Sequence, residues 1–215
     1  IEPLYLEHPQ DVAAGDARAV GALFDALLLT GVAMTMAESS APASGGEHLI
    51  SHTLDMLAVA AGGEHDLHGR QVGVGTILMC ELYRRVLAVE SPKFRTPPEQ
   101  IDVRFWGPLA GAVSPCYAEK RPRLSAAADK LAKPGEWDRL RAELAPMLRP
   151  PEQVRDCLAR AGGATTASDI GCDKRTLAEI LRRAREVRAR FTILDLADLL
   201  GVPDDAADEI TEQWG

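Results

Sequence analysis

Apolar residues recur at helical spacing in three stretches of the N-terminal half of the chain. The segments 16–36, 47–60 and 70–90 place Ala, Val, Leu or Ile three and four residues apart, which is the spacing of one helix face. The first segment is the most apolar, and we predict a buried helix there. Two polar, glycine-containing stretches, 38–46 and 61–69, separate the segments and are typical of loops.

The rest of the chain shows the same periodicity in shorter pieces. Prolines break the chain at 91–100, and the pattern from 99 to 150 predicts only short helices. A short helix is predicted at 149–162, and a turn and a long helix at 165–190. FTILDLADLLG then gives the last firm helix, and an acidic tail follows it.

The alternation of apolar and polar residues that marks β-strands is almost absent. The nearest approach is DVRFWG at 102–107, which is short and weak. The glycine pair in QVGVGT lies inside a helical stretch without a third glycine, so a phosphate-binding turn is not expected there. We therefore predict an all-α fold, in which residues 1–215 form one domain of eight to ten helices.

Composition and charge narrow the classes of partner. The net charge of the chain is -8 and its pI is about 5.2, and no basic stripe or aromatic platform is present, so nucleic acid is not expected to bind. The densest basic stretch, 173–190, also carries Asp173, Glu179 and Glu186. This mixture predicts a solvated or salt-bridged helix face.

The cysteines and the lengths of the apolar runs point to a location. Four cysteines without CxxC spacing predict free thiols in a reducing cytoplasm. No apolar run was expected to approach the roughly 20 residues of a membrane span, so no membrane partner is predicted.

Four of the five histidines, His48, His52, His65 and His68, lie close together in the sequence. On a helix, His48 and His52 stand one turn apart on one face, and a loop can fold His68 back against them. Imidazoles grouped in this way can bind a divalent ion such as Zn, Ni or Fe. A packed structural pair has the same spacing, so the spacing alone leaves both interpretations open.

The ligand set is incomplete in the sequence. A catalytic metal usually has three protein ligands and an open position. Asp55, Asp66 and Glu47 are candidates for the third ligand, and each is as easily structural. His65 lies in a polar loop between Glu64 and Asp66, and we predict that it faces solvent.

Three segments of the chain resemble a known family. SSAPASGGEHLISHTLD, LHGRQVGVGTILM and FTILDLADLLG are similar to the C-terminal helical domain of sn-glycerol-1-phosphate dehydrogenases. This family belongs to the superfamily of iron-containing alcohol dehydrogenases, glycerol dehydrogenase and dehydroquinate synthase. The similarity extends from about residue 16 to about residue 202 and is loose between 95 and 160.

The resemblance implies an oxidoreductase whose metal lies in the helical domain. It places metal ligands at His48 and His68, and gives His52 a catalytic role in orienting a ligand or relaying a proton. The third ligand, an Asp, and the α/β domain that binds NAD(P) would lie upstream of this chain. A divalent metal, with zinc among the candidates, would activate the hydroxyl of a small polyol or polyol phosphate.

Two positions depart from the family pattern, and several alternatives stay open. Ala41 stands where the family commonly has Arg, and Gly46 where it has Ser. The substrate is thus either an unphosphorylated polyol or a phosphorylated one that other groups hold. A lyase of the dehydroquinate synthase type and a non-catalytic helical assembly module are the alternatives to a dehydrogenase. The choice between NAD and NADP is open, and self-association into a homo-oligomer is plausible because a helical domain must cover its apolar face.

Overall fold

α-Helices make up most of the described chain. The computed structural model describes residues 6–215, apart from the side chain of Asp205. In this range the helices are α1 (Pro9–Ala13), α2 (Ala17–Met36), α3 (Gly46–Ala60), α4 (His68–Leu87), α5 (Val103–Trp106), α6 (Ala110–Leu131), α7 (Glu136–Leu144), α8 (Pro151–Arg160), α9 (Lys174–Arg183), α10 (Ile193–Leu199) and α11 (Val202–Trp214). Within residues 6–215 there is no β-strand, which confirms the predicted all-α fold.

Helix α4 is the centre of the core. It packs against α3, α8, α10 and α11, and its inward face is fully buried at Val74, Ile77, Leu78, Leu82 and Val86. These apolar positions follow helical spacing, and burying each removes apolar surface from water. The short 3-10 turn Ala184–Val187 packs against α3, so α3 is held between α4 and this turn.

Two glycines of α4, Gly73 and Gly75, let this helix approach its neighbours closely. A Cβ atom added at Gly75 would lie 3.0 Å from the carbonyl oxygen of Glu47 and 3.1 Å from its Cα atom. A Cβ atom at Gly73 would lie 3.5 Å from a methyl carbon of Leu158. Only glycine at position 75 leaves room for the backbone of α3. Helices α3 and α4 therefore pack closely at Glu47, next to His48.

Helix α2 forms where it was predicted, but the prediction that it is buried was wrong. Only Ala19 and Ala22 are buried, whereas six large apolar side chains are about half exposed or more: Phe24, Leu27, Leu28, Leu29, Val32 and Met36. The helix contacts α1 and the 3-10 turn Ala41–Ala43. Helical periodicity therefore located the helix correctly but did not show whether this chain covers its apolar side.

The expectation that no apolar run approaches a membrane span was also wrong. Within residues 6–215, Ala17–Met36 is long and apolar enough to cross a membrane by length and composition alone, with a mean hydropathy of 1.8 over its most apolar window. The helix also carries Arg18 and Asp25. The prediction that the protein has no membrane partner stays a prediction.

The region 99–150 contains a longer helix than predicted. Helix α6 has 22 residues and continues through Pro115 and Pro122, although proline in a helix interior costs roughly 3 kcal/mol. Its buried residues are spaced by three and four positions, at Val113, Tyr117, Lys120, Leu124 and Ala128. Packing along this face outweighs the local preference of the prolines.

Other elements also differ from prediction. DVRFWG forms the short helix α5 because the side chain of Asp102 caps it, accepting hydrogen bonds from the backbone N–H groups of Arg104 and Phe105. The acidic tail forms α11, whose Ala207, Ile210 and Trp214 are buried. The long helix predicted up to residue 190 ends earlier, as α9 followed by the 3-10 turn Ala184–Val187.

The basic stretch 173–190 is salt-bridged, as predicted. Arg182 pairs with Glu179 and Asp208, and Arg183 pairs with Asp102. Arg185 departs from a solvated face, because it is buried and pairs with Asp198. No disulfide bond joins the four cysteines of the described chain, as predicted.

Candidate metal centre

Three of the predicted histidines meet at the crossing of α3 and α4. The ring centre of His48 lies 5.1 Å from that of His68, and the ring centre of His52 lies 6.3 Å from His48 and 5.7 Å from His68. His48 and His52 are one turn apart on α3, and His68 is the first residue of α4. The expected face of α3 and the expected fold-back of the second segment are therefore both present.

Glu47 fixes the ring of His48. One carboxylate oxygen of Glu47 lies 2.8 Å from Nδ1 of His48 and accepts a hydrogen bond of 2.7 Å from the backbone N–H of Gly45. A carboxylate only accepts, so Nδ1 of His48 carries the proton. The lone pair of a neutral His48 is consequently on Nε2.

A buried hydrogen-bond chain fixes the ring of His68 in the same tautomer. The Ser51 hydroxyl donates to the side-chain oxygen of Gln71 over 2.6 Å, and Nδ1 of His68 lies 2.8 Å from the same hydroxyl oxygen. Because Ser51 has a single proton and gives it to Gln71, its oxygen accepts from His68. Nε2 of His68 is thus the atom left with a lone pair, and Ser51 and Gln71 are themselves buried.

This arrangement suits two ligands of a divalent ion. Histidines that bind metals donate the other ring N–H to a carboxylate, carbonyl or similar acceptor, which fixes the tautomer and the ring orientation. A metal about 2 Å from each ligating nitrogen places ring centres roughly 5 Å apart, in accord with the pair His48 and His68. Within residues 6–215, however, no group of three or more His, Cys, Asp or Glu side chains has the arrangement of a metal site. The described residues fit a partial ligand set.

Two of the three acidic candidates for a third ligand, Glu47 and Asp66, are engaged elsewhere. Glu47 supports His48, and Asp66 accepts hydrogen bonds from the Arg70 side chain and from the backbone of Leu67. One oxygen of Asp55 lies 3.2 Å from Nδ1 of His65. His65 itself is half exposed and makes no ring contact with the other three, as its predicted position in a solvent-facing loop implies.

His52 differs from its two neighbours. Neither of its ring nitrogens has a hydrogen-bond partner within the part of the chain that the structure describes. Burial lowers the pKa of His52, and the charges of Arg188 and the neighbouring imidazoles lower it further, while Asp55 opposes the shift. The neutral form of His52 is therefore favoured at neutral pH.

Cys80 and Cys172 offer no competing reactive centre. Burial raises the pKa of Cys172 to about 11, with Asp173 adding to the shift. Burial and the charge of Glu47 also raise the pKa of Cys80. These thiols stay protonated, and a protonated thiol is a poor nucleophile and a poor metal ligand.

A cavity of about 470 Å³ lies next to the cluster of His48, His52 and His68, but none of these three residues lines it. Its lining includes Gln71, His65, Asp66 and Thr176 but none of the three clustered rings. Gln71 thus separates this cavity from the cluster. The histidines instead lie at the surface, where His68 is exposed.

Packing explains one of the two departures from the family pattern. A Cβ atom at Gly46 would lie 2.5 Å from the sulfur of Met79 and 3.3 Å from side-chain atoms of Ile193 and Leu194. A serine at this position would require Met79 to move. Glycine therefore allows the start of α3 to pack directly on α4 and α10.

Relatives of known activity are similar to most of this chain. A glycerol-1-phosphate dehydrogenase (NAD(P)+) of Geobacillus stearothermophilus is 34% identical over 196 residues, which are 88% of this chain and 41% of the relative. Over most of its length the chain is thus similar to one part of the enzymes of the glycerol-1-phosphate dehydrogenase family. The enzyme of the same name from Halorubrum lacusprofundi is 28% identical over 212 residues, covering 99% of this chain.

The similarity is uneven along the chain and covers part of each relative. The glycerol-1-phosphate dehydrogenase of Staphylothermus marinus is 49% identical over 72 residues, 34% of this chain. The chain spans about two fifths of the length of the curated relatives that it matches, such as the Geobacillus enzyme. No family model matches it.

The sequence did not point to the groups that support the histidines. Ser51 lies at i+3 from His48, and Gln71 at i+3 from His68, so helical spacing would have placed each beside the cluster. Buried polar residues on an otherwise apolar face were the available signal. Glu47 was predicted to be either a third ligand or a structural residue, and in the structure its carboxylate accepts a hydrogen bond from His48.

Proposed function

We propose that this chain is the metal-binding part of an NAD(P)-linked dehydrogenase that acts on a small polyol or polyol phosphate of the glycerol-1-phosphate type. The observation that carries the proposal is the shared tautomer of His48 and His68, each held through Nδ1 with Nε2 free. The relatives named glycerol-1-phosphate dehydrogenase (NAD(P)+) support the reaction class. They lend no support to a lyase or to a non-catalytic assembly module.

In this proposal His48 and His68 hold a divalent ion such as Zn, Fe or Ni, and a further ligand comes from outside the described residues. When bound, the ion would lower the pKa of a coordinated substrate hydroxyl. Glu47 and Ser51 keep the two imidazoles in the ligating tautomer and orientation. His52, neutral and without a hydrogen-bond partner among the described residues, accepts or relays the hydroxyl proton.

The nicotinamide cofactor would bind to another part of the full-length protein. We propose that the apolar side of α2, which residues 6–215 leave largely exposed, contacts that nucleotide-binding domain. An apolar surface of this extent is typical of an interaction site. The domains would then hold the hydroxyl, the metal site and the nicotinamide in line for hydride transfer.

Replacing single histidines in the protein expressed from its complete gene tests the proposal. We expect His48→Ala and His68→Ala to lose the bound metal, measured by elemental analysis, and to lose polyol oxidation with it. His65→Ala is the matched control, because His65 lies in the same segment but outside the cluster, and it should keep both properties.

Two results would count against the proposal. Full metal occupancy and normal oxidation in either His48→Ala or His68→Ala would show that these imidazoles are not ligands. A wild-type protein that folds but binds no divalent metal would instead favour a structural role for the cluster.

A further inference from the structure

The 3-10 turn Ala184–Val187 brings a segment rich in arginine next to the histidine cluster. The turn packs against α3, and Arg188 follows it in extended conformation, with φ -142° and ψ 149°. Arg190, two residues later, donates hydrogen bonds to the backbone oxygen of Ser44 and, over 2.6 Å, to the hydroxyl of Ser40. Arg188 thus lies in a short segment whose two ends contact α3 and the loop before it.

Arg188 differs from the other arginines of this neighbourhood in having no acceptor. Arg185 pairs with Asp198, Arg70 pairs with Asp66, and Arg190 is bound to the loop before α3. Arg188 is exposed and has no ion pair or hydrogen bond within the described part of the chain. Its place in the chain, between the turn that packs against α3 and Arg190, which binds the loop before α3, puts it beside the start of that helix.

An exposed guanidinium beside a proposed alcohol-binding site suits a phosphate group. Arginine presents several N–H donors in a planar fork that matches two phosphate oxygens at once. In glycerol-1-phosphate only a short carbon chain separates the phosphate from the hydroxyl that reacts, so the phosphate must lie close to the histidines. Ala41, in the loop that Arg190 binds, offers no charge for this purpose.

We propose that Arg188 binds the phosphate of the substrate and sets a preference for a phosphorylated polyol over a free one, an inference that rests on the proposed function. Arg190 holds the neighbouring loop and keeps the segment against α3. A single charge-assisted, bidentate interaction of this kind typically changes affinity about 10- to 100-fold.

Binding measurements on the protein expressed from its complete gene test this assignment. The ligands are glycerol-1-phosphate and, as the unphosphorylated counterpart, glycerol. We expect Arg188→Gln to weaken the affinity for glycerol-1-phosphate about 10- to 100-fold and to leave the affinity for glycerol unchanged, with Arg188→Lys recovering part of the loss. Arg175→Gln, which removes another exposed arginine without an ion pair in the described chain, should change neither affinity.

A phosphate also occurs in the nucleotide, so NADH and NADPH form a separate arm. Unchanged affinities for both nucleotides in Arg188→Gln would support the substrate phosphate. A selective loss of NADPH affinity would overturn the assignment, as would an unchanged affinity for glycerol-1-phosphate or an equal loss for glycerol.

Metal content separates a failure of this inference from a failure of the proposed function. If wild-type protein binds metal and glycerol-1-phosphate while Arg188→Gln binds both normally, only the role of Arg188 is wrong. If wild-type protein binds neither, the proposed function fails and the role of Arg188 fails with it.

Discussion

Helices α2 and α4 have the same length, 20 residues each, and opposite environments. α4 buries ten of its residues, including the polar Gln71 and Glu81, whereas α2 buries two. The more apolar of the two helices is therefore the more exposed. Apolar content indicates that a helix needs a partner surface, but the rest of the chain decides whether that surface is present.

The difference follows from what each helix meets. α4 has helices on several sides and glycines where they approach most closely. Within residues 6–215, the main contacts of α2 are with the short helix α1 and the 3-10 turn Ala41–Ala43. A Cβ atom added at Gly21 or Gly31 of α2 would face open space. Substitutions around α4 should consequently affect folding, and those on α2 should affect association.

The largest expected effect is at a buried ion pair in the core around α4. Nζ of Lys120, on α6, lies 2.7 Å from a carboxylate oxygen of Asp195, on α10, and both side chains are completely buried. Burial lowers the pKa of Lys120 and raises that of Asp195. Lys120→Met would leave Asp195 buried without its cation, and we expect a loss of about 3–5 kcal/mol in the free energy of unfolding.

Denaturant unfolding measures this loss, and an exposed lysine of the same helix provides the control. Lys130→Met should change the stability by no more than about 0.5 kcal/mol. If Lys120→Met were as stable as the wild type, the buried pair would not hold α10 against α6, and the expectation that substitutions around α4 affect folding would be wrong for this pair.

A pair of glycine substitutions compares the two helices directly. Gly75→Val in α4 would force side-chain atoms against the backbone of Glu47, and overpacking of this kind costs about 1–3 kcal/mol. Because the displaced segment carries His48, metal occupancy should fall as well. Gly31→Val in α2 has open space around its Cβ position, so its unfolding free energy should stay within about 0.5 kcal/mol of wild type. Equal losses of unfolding free energy in Gly75→Val and Gly31→Val would show that α2 and α4 do not differ in how tightly they are packed.

The sequence predicted those parts of the fold in which local pattern and packing agree. The face shared by His48 and His52 followed from helical spacing, and the return of His68 followed from the loop before α4. The pattern from 99 to 150 predicted only short helices, but packing of Tyr117, Lys120 and Leu124 maintains α6 through its two internal prolines. The acidic residues of α11 similarly obscured the apolar spacing of Ala207, Ile210 and Trp214.

The sequence was sufficient to predict the candidate metal ligands. It was not sufficient to predict the residues that hydrogen-bond to them or lie beside them. Spacing and resemblance both selected His48 and His68, because ligating side chains belong to recognisable short segments. The hydrogen bond from Ser51 to Gln71 depends on how distant segments pack, and so does the position of Arg188. No local pattern in a single sequence contains that information.

The smallest expected effect on folding is on the exposed side of α2, at Leu28, which is 60% exposed. Leu28→Gln should change the free energy of unfolding of this chain by no more than about 0.5 kcal/mol, since it removes few internal contacts. In the protein from the complete gene, the same change should weaken NAD(P)H binding if α2 contacts the nucleotide-binding domain. The matched control is Met147→Gln, which changes an exposed apolar residue outside α2, in the 3-10 turn Ala145–Met147. It should leave NAD(P)H binding unchanged.

Normal NAD(P)H affinity together with a loss of self-association, measured by sedimentation, would instead assign the exposed side of α2 to contact with a second copy of the chain. No change in either measurement would show that this side of α2 faces solvent, and the contrast with α4 would then reflect a tolerated apolar surface rather than an interface.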